Sequence, residues 1–260
     1  MFSTKTIEMK SATELAVMRR AGAILAEALE AVVRAVKPGM ATVGLDRVVV
    51  SELSRLGAKP AFLGYRGFPA SLCVSVNDAI IHGIPSSAVL RDGDLVSLDL
   101  GCLYEGFYAD MAATVGVGRL TPEAERLART AREALDIGIA AARPGARLGD
   151  VSAAIQAHVE GAGFSVVRDF VGHGIGRALH EEPPVPNYGK AGTGPRLAPG
   201  MVLAIEPMIN AGSFEARTLQ DGWTAVTKDG SLSAHWEHTV AVTAQGPEIL
   251  TARQGRTATW

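Results

Sequence analysis

Cysteine is scarce in this 260-residue chain: Cys73 and Cys102 are its only two, and no CxxC spacing occurs. That scarcity argues against a disulfide framework or a thiolate zinc site and fits a reducing compartment. Long apolar runs are missing as well. No stretch of about 18 or more apolar residues is present, so no membrane span is expected. The segment Met1 to Thr6 lacks the apolar core of a secretory signal, and a cytoplasmic location is expected. Charge of one sign is also lacking: the formal net charge is −2, and no global basic field points to direct nucleic-acid recognition. No linker-like or low-complexity segment divides the chain, so residues 1–260 read as one compact domain. What is present is ordinary globular composition, 47% hydrophobic and 20% charged.

Four helices can be placed from their start and stop signals. Ser11-Ala12-Thr13-Glu14 is a capping box, opening a helix that runs to about Val36 before Pro38-Gly39. A second is expected from Asp46 to Leu56, stopped at Gly57. A third starts at Thr121-Pro122 and runs towards Arg143, and a fourth spans Asp150 to about Glu160. The order repeats, with Pro38-Gly39, Asp46 and Gly57 matching Pro144-Gly145, Asp150 and Gly161 at offsets of 104 to 106. The segment Leu90 to Asp99 aligns without gaps on Leu197 to Glu206 at an offset of 107. Both copies read as turn, glycine, apolar strand and carboxylate. Chance similarity between two short apolar strands is the alternative to two related α+β halves. Gly189 to Pro195 is the most loop-like stretch and reads as a surface insertion.

The acids carry the chemistry. Val96 to Leu103 and Gly106 to Val115 look like two strands joined around Tyr104-Glu105, a turn that would set Asp99 directly opposite Asp110. Like charges so placed destabilise a sheet unless something compensates, and neither strand offers a Lys or Arg. The alternative is that one Asp meets solvent at a strand end. Glu206 closes the apolar run Val202 to Ile205, where a buried acid needs a partner or a metal. Glu237 lies in Ala234 to Val242, where alternation puts His235 and Glu237 on one face and Trp236 and His238 on the other. A solvent-facing Glu237 is the competing reading.

Flanking glycines in Gly172-His173-Gly174 would let backbone approach a ligand. The Gly172-x-Gly174-x-Gly176 pattern lacks the strand and helix context of a nucleotide loop. His82 and His180 sit in comparable Gly- and Pro-bounded apolar company, whereas His158 falls inside a helix and reads as structural. Four carboxylates and one imidazole form a hard ligand set suited to manganese, iron(II), cobalt or zinc. Their combined charge exceeds what one divalent ion neutralises, which favours two bridged metals per chain.

At this point the chain resembles the bacterial type I methionine aminopeptidases from about Ile7 to Leu250. The motifs are Ser75 to Pro85, Asp99-Leu100-Gly101, Tyr108-Ala109-Asp110, Gly172 to Gly176, His180 to Pro183, Ile205-Glu206-Pro207 and Trp236 to Thr239. The resemblance implies the α+β pita-bread (creatinase/aminopeptidase) fold, with pseudo-twofold halves at about 11–116 and 121–250 and a short extension, 1–10. It implies that Asp99 chelates one metal, that His173 and Glu206 hold the other, and that Asp110 and Glu237 bridge them. Glu206 would also take the proton of the attacking water, and His82 and His180 would contact substrate and stabilise the reacting centre. The methionine pocket would involve Phe62, Tyr65, Phe68, Cys73, Leu179 and Trp223, with Met208 better read as core. Relatives often carry a small residue at Phe62 and an aromatic at Leu179, so bulk has moved between walls. The Gly189–Pro195 loop is longer than the resemblance leads one to expect. Neither the zinc-binding N-terminal extension nor the long insertion of other members is seen.

The implied reaction is removal of N-terminal methionine from nascent chains whose second residue is small, by a monomer working at the ribosome. Two other readings remain open here. A proline-specific peptidase of the same fold would usually carry an extra N-terminal domain, and a non-catalytic peptide-binding module would usually have lost ligands.

Overall fold

The computed structural model describes residues 6–252. Residues 1–5, half of the expected N-terminal extension, and residues 253–260 lie outside the described part. Four helices flank a curved antiparallel sheet: α1 (Ala12–Ala35), α2 (Thr42–Arg55), α3 (Pro122–Ala141) and α4 (Leu148–Gly161). None of them is long and apolar enough to cross a membrane.

The capping box forms as expected. The Ser11 hydroxyl accepts from the Glu14 N–H at 3.3 Å, and the Glu14 carboxylate accepts from the Ser11 N–H at 2.8 Å. Thr121 caps α3 with its hydroxyl alone, which accepts from the Ala124 N–H at 3.2 Å, and Pro122 stands in the first turn. The starts of α2 and α4 differ from expectation by four and two residues. Neither has a side-chain cap of the expected kind, because backbone carbonyls from later loops take the free N–H groups. Thr42 and Val43 donate to the carbonyls of Ala88 and Ser86, while Leu148 and Gly149 donate to those of Pro195 and Thr193. The Gly189–Pro195 loop is therefore the cap of α4. Asp46 and Asp150 are loop fasteners: Asp46 accepts from the Ser71 and Leu72 N–H groups, and Asp150 from Gly192. The repeat seen in the sequence thus extends to how each half ties its second helix to a following loop.

The central sheet runs Lys59–Pro60, Leu95–Tyr104, Phe107–Gly116, Glu237–Thr243, Val202–Ile205, Gly172–Gly174 and Glu181–Val185, with two further strands on its flanks. One face packs on the helices. Leu98, Leu100 and Cys102 join the main core there, and the Cys102 thiol reaches the Ala21 carbonyl of α1 at 3.5 Å. The odd-numbered residues of that strand, Asp99 and Gly101, face the other way.

One expectation needs correcting. Tyr104 pairs with Phe107, so the turn residues are Glu105 and Gly106, both with positive φ (46° and 82°) as a tight two-residue hairpin requires. The register moves by two: Asp99 faces Ala112, and Asp110 faces Gly101. The two acids share a face as diagonal neighbours and are not directly opposed. The proposed Ala234–Val242 strand is also broken at Trp236, into Ser233–His235 and Glu237–Thr243.

Helix α1 touches the end of the sheet at Gly22, where an added Cβ would sit 2.1 Å from the Leu250 carbonyl oxygen. Backbone on both sides of that contact leaves nothing flexible to yield. Gly22→Ala is expected to cost about 1–3 kcal/mol, measured as a lowered midpoint in urea unfolding.

Candidate metal centre and adjoining pocket

The sheet register builds the site. Ala112 stands between Asp99 on one neighbouring strand and Glu237 on the other, and Glu237 is followed by His238, paired with Ile205 just before Glu206. One row further on, Asp110 faces Gly101, while His173 pairs with Ala204. Asp99 and Asp110 are thus each set opposite an alanine or glycine, which leaves side-chain space over the sheet. Thr239 locks the arrangement, its hydroxyl accepting from the Asp110 N–H at 2.9 Å and donating to the Asp110 carbonyl at 2.8 Å.

The glycines around His173 do not serve a ligand. A Cβ at Gly172 would lie 2.3 Å from the Ala204 carbonyl, and one at Gly174 would lie 2.1 Å from that of Glu182. They admit neighbouring strands, which corrects the expectation that they open the backbone to a bound group. Their effect is to seat His173 deep in the sheet, with its Nδ1 2.9 Å from the Gly174 carbonyl.

Asp99, Asp110, His173, Glu206 and Glu237 are all 2–9% exposed. The ligand atoms of Asp110, His173 and Glu237 lie within 4.8 Å of one another, as do those of Glu206, His235 and Glu237. Asp99 belongs to neither cluster but lines the same cavity. Asp99 Oδ1 and Glu237 Oε1 are buried with no hydrogen-bond partner among the described residues. Four acids share this space, and burial pushes every one of them up, Asp99 to about 7. Mutual repulsion adds to the shift at Asp110, Glu206 and Glu237. Burial, with His180 alongside, lowers His173 to about 3, so its imidazole is neutral at physiological pH. The 3.5 Å approach of His173 Nε2 to Glu206 Oε1 is therefore ligand spacing, not an ion pair. Orphaned carboxylate oxygens, a neutral imidazole and mutually repelling acids are the donor set of a hard divalent cation.

Beside these groups lies a cavity of about 200 Å³, lined by Phe62, Tyr65, Phe68, Cys73, Leu179 and Trp223 together with His82 and His180. All eight expected substrate-side residues meet there. Met208 does not line it but is fully buried in a separate small cluster, as expected of a core residue. Phe62 occupies the space left by Gly101, where a Cβ would come 2.8 Å from its ring. Phe68 and Trp223 meet edge-on at 5.1 Å.

His82 ends the Ala79–Ile81 strand with φ 58°, and the next residue must be glycine because a Cβ there would meet the Val74 carbonyl at 2.2 Å. His180 stacks on Tyr65 at 5.3 Å and shares a 2.9 Å hydrogen bond with its hydroxyl through Nδ1. Burial lowers His180 to about 4, helped by Arg66 and His82, and burial lowers His82. Burial raises the Cys73 thiol, which makes Cys73 an apolar wall.

Ile81, Phe170, Val171 and Arg66 also line the cavity and were not singled out from the sequence. Adjacency to His82 and His173 was an available signal for the first three. Arg66 carries none, since its place depends on a left-handed backbone (φ 50°) between Gly64 and Gly67. His158 lies near Glu133 on the helical layer, away from the cavity, as expected of a structural residue.

A sheet that gathers buried acids and a histidine beside an apolar pocket defines a metallohydrolase of pita-bread architecture. The chain belongs to metallopeptidase family M24, whose family model matches residues 16–244. It is 54% identical to a methionine aminopeptidase of Clostridium perfringens over 245 residues, covering 94% of this chain and 98% of that one. The crystal structure of a methionine aminopeptidase from Thermotoga maritima superposes with a TM-score of 0.94 at 46% identity, over 95% of this chain and all of the other. A prolidase from Pyrococcus furiosus shares the fold at a TM-score of 0.76 and 24% identity, and this chain spans 66% of its length.

Acids with raised pKa values bind their protons more tightly folded than unfolded. Their stabilising contribution is complete below the unfolded value, 3.8 for Asp99, and is lost as pH rises through about 7. The metal-free protein is therefore expected to lose stability between about pH 4 and 7. Asp99→Asn should reduce that slope by up to about 1.4 kcal/mol per pH unit. Urea unfolding at a series of pH values with a chelator present measures this; an unchanged slope in the variant would count against it.

Proposed function

We infer that the chain removes the initiator methionine from nascent polypeptides whose second residue is small. The observation that carries this is the placement of a pocket sized for one apolar side chain directly against the cluster of acids. The near-complete match to methionine aminopeptidases in both length and fold supports it. In this reading Asp99, Asp110, His173, Glu206 and Glu237 would together hold two divalent cations. Cobalt, manganese, iron(II) and zinc all suit such oxygen-rich ligands. Bound there, they supply polarisation of the scissile carbonyl and a water acidic enough to act at neutral pH.

The rest is the work of the chain. Glu206, at the edge of the cluster, takes the proton of the attacking water and can pass it to the departing amine. Tyr65 donates its hydroxyl hydrogen to His180 Nδ1, which leaves Nε2–H facing the cavity as a donor to the carbonyl oxygen as negative charge develops. His82 stands across the cavity as a second donor. The thioether side chain packs among Phe62, Phe68, Leu179 and Trp223, where sulfur–aromatic contacts favour methionine. The free α-amino group would bind beside the metal-holding acids, which accounts for the removal of N-terminal residues only.

Release of methionine from a Met-Ala-containing peptide is expected only after a divalent cation is added, and Glu206→Gln should lower kcat about 10²–10⁴-fold. No release with manganese, cobalt, iron(II) or zinc would refute the reading. Faster cleavage of Leu-Pro than of Met-Ala would turn it towards a proline-specific peptidase. Phe62→Ala widens the pocket, so kcat/KM for N-terminal leucine or phenylalanine should rise about tenfold relative to methionine, measured with a matched set of peptides.

A further inference from the structure

Glu206 is flanked by two imidazoles, of which only one has been given a role. His173 Nε2 lies 3.5 Å from Glu206 Oε1, and His235 Nε2 lies 3.7 Å from Oε2. His235 is 2% exposed, and neither of its ring nitrogens has a hydrogen-bond partner among the described residues. A buried N–H left unpaired is destabilising, so an imidazole used only to fill space would be a poor choice there. Its backbone is held in place: the His235 N–H donates to Thr114 Oγ1 at 2.9 Å, and that hydroxyl donates to the His235 carbonyl at 2.7 Å. The strand Ser233–His235 pairs with Met208–Asn210, the segment immediately beyond Glu206-Pro207, with His235 opposite Met208. The backbone that carries the ring is therefore fixed relative to the very turn that carries Glu206.

We propose that His235 is a positioning residue for Glu206, its Nε2–H donating to Oε2 so that Oε1 stays turned to the His173 side of the cluster. The 3.7 Å separation exceeds a hydrogen bond by about 0.5 Å, a gap that a small rotation of either side chain closes. The two oxygens of Glu206 are then divided between two tasks. Oε2 is held from behind by the protein, and Oε1 is left for the metal and the water. This assignment rests on the role given to Glu206 above.

The test compares wild type, His235→Gln and His235→Leu by calorimetric titration with Mn²⁺ alone and by steady-state hydrolysis of a Met-Ala peptide. Loss of a group that orients a ligand typically weakens metal affinity about 10–100-fold. His235→Leu is expected to show that loss, with kcat falling by a similar factor and KM changing less than about twofold. His235→Gln retains an N–H donor and should bring both quantities to within about threefold of wild type. Should the leucine variant fail to fold, His235→Asn, polar but too short to reach Glu206, takes its place. Wild-type affinity and kcat in His235→Leu would overturn the inference while leaving the aminopeptidase reading intact. A glutamine variant as weak as the leucine one, with the Co²⁺ absorption spectrum reporting a lost nitrogen, would overturn it in favour of direct ligation. Absence of both Mn²⁺ binding and methionine release in wild type would instead sink the aminopeptidase reading itself.

Discussion

Four buried carboxylates on one face of a sheet, with no Lys or Arg paired to them among the described residues, set the terms for everything around them. Each is driven towards its protonated form by burial, and three are driven further by their neighbours. A fold optimised only for stability would put aliphatic side chains in these places. The sheet tolerates the acids because its register staggers them: Asp99 meets Ala112 and Asp110 meets Gly101 across the strand pair. The same stagger that spreads the charge leaves a hollow into which their oxygens converge. A bound divalent cation would convert the repulsion into attraction, so the arrangement is costly without one.

Holding such a cluster requires a rigid surround, and the two halves supply it by related means. In each half the second helix begins on carbonyls from a later loop, and an aspartate one turn in fastens that loop or its neighbour. The opposite face of the strands is sealed by a continuous apolar core reaching all four helices. On the open side the histidines are set by backbone as much as by side chain. The left-handed conformation of His82 and the tight glycine that follows it leave the ring little freedom, and Tyr65 both stacks on and bonds to His180.

Much of this could be read from the chain. The Ser11 capping box, the Thr121-Pro122 start and the acids in apolar strands all lie in local patterns. The misreadings share one cause, which is dependence on something distant or on a single backbone torsion. The hairpin register turned on Glu105 adopting a left-handed conformation, which few non-glycine residues take up and which Glu does not signal as Asn or Asp before glycine would. The starts of α2 and α4 were misplaced because their caps come from residues 43 to 47 positions later. Gly172 and Gly174 were given to a ligand when adjacent strands needed them. His235 was placed on the correct face by simple alternation, yet its proximity to Glu206 depends on a pairing with Met208 that alternation cannot supply.

The Glu237–Thr243 strand lies between Phe107–Gly116 and Val202–Ile205 at the middle of the sheet, although more than 120 positions separate it in sequence from the first of these. During synthesis the first half can bring Asp99 and Asp110 together over a local hairpin, but the gap beside them stays open until more than 120 further residues have emerged. Until then the sheet has an unpaired inner edge and an incomplete set of acids. Contacts of such long sequence separation slow folding, and here they also order it in time. Glu237 reaches the cluster only on that closing strand, so the set of acids is complete only once strands from both halves have paired.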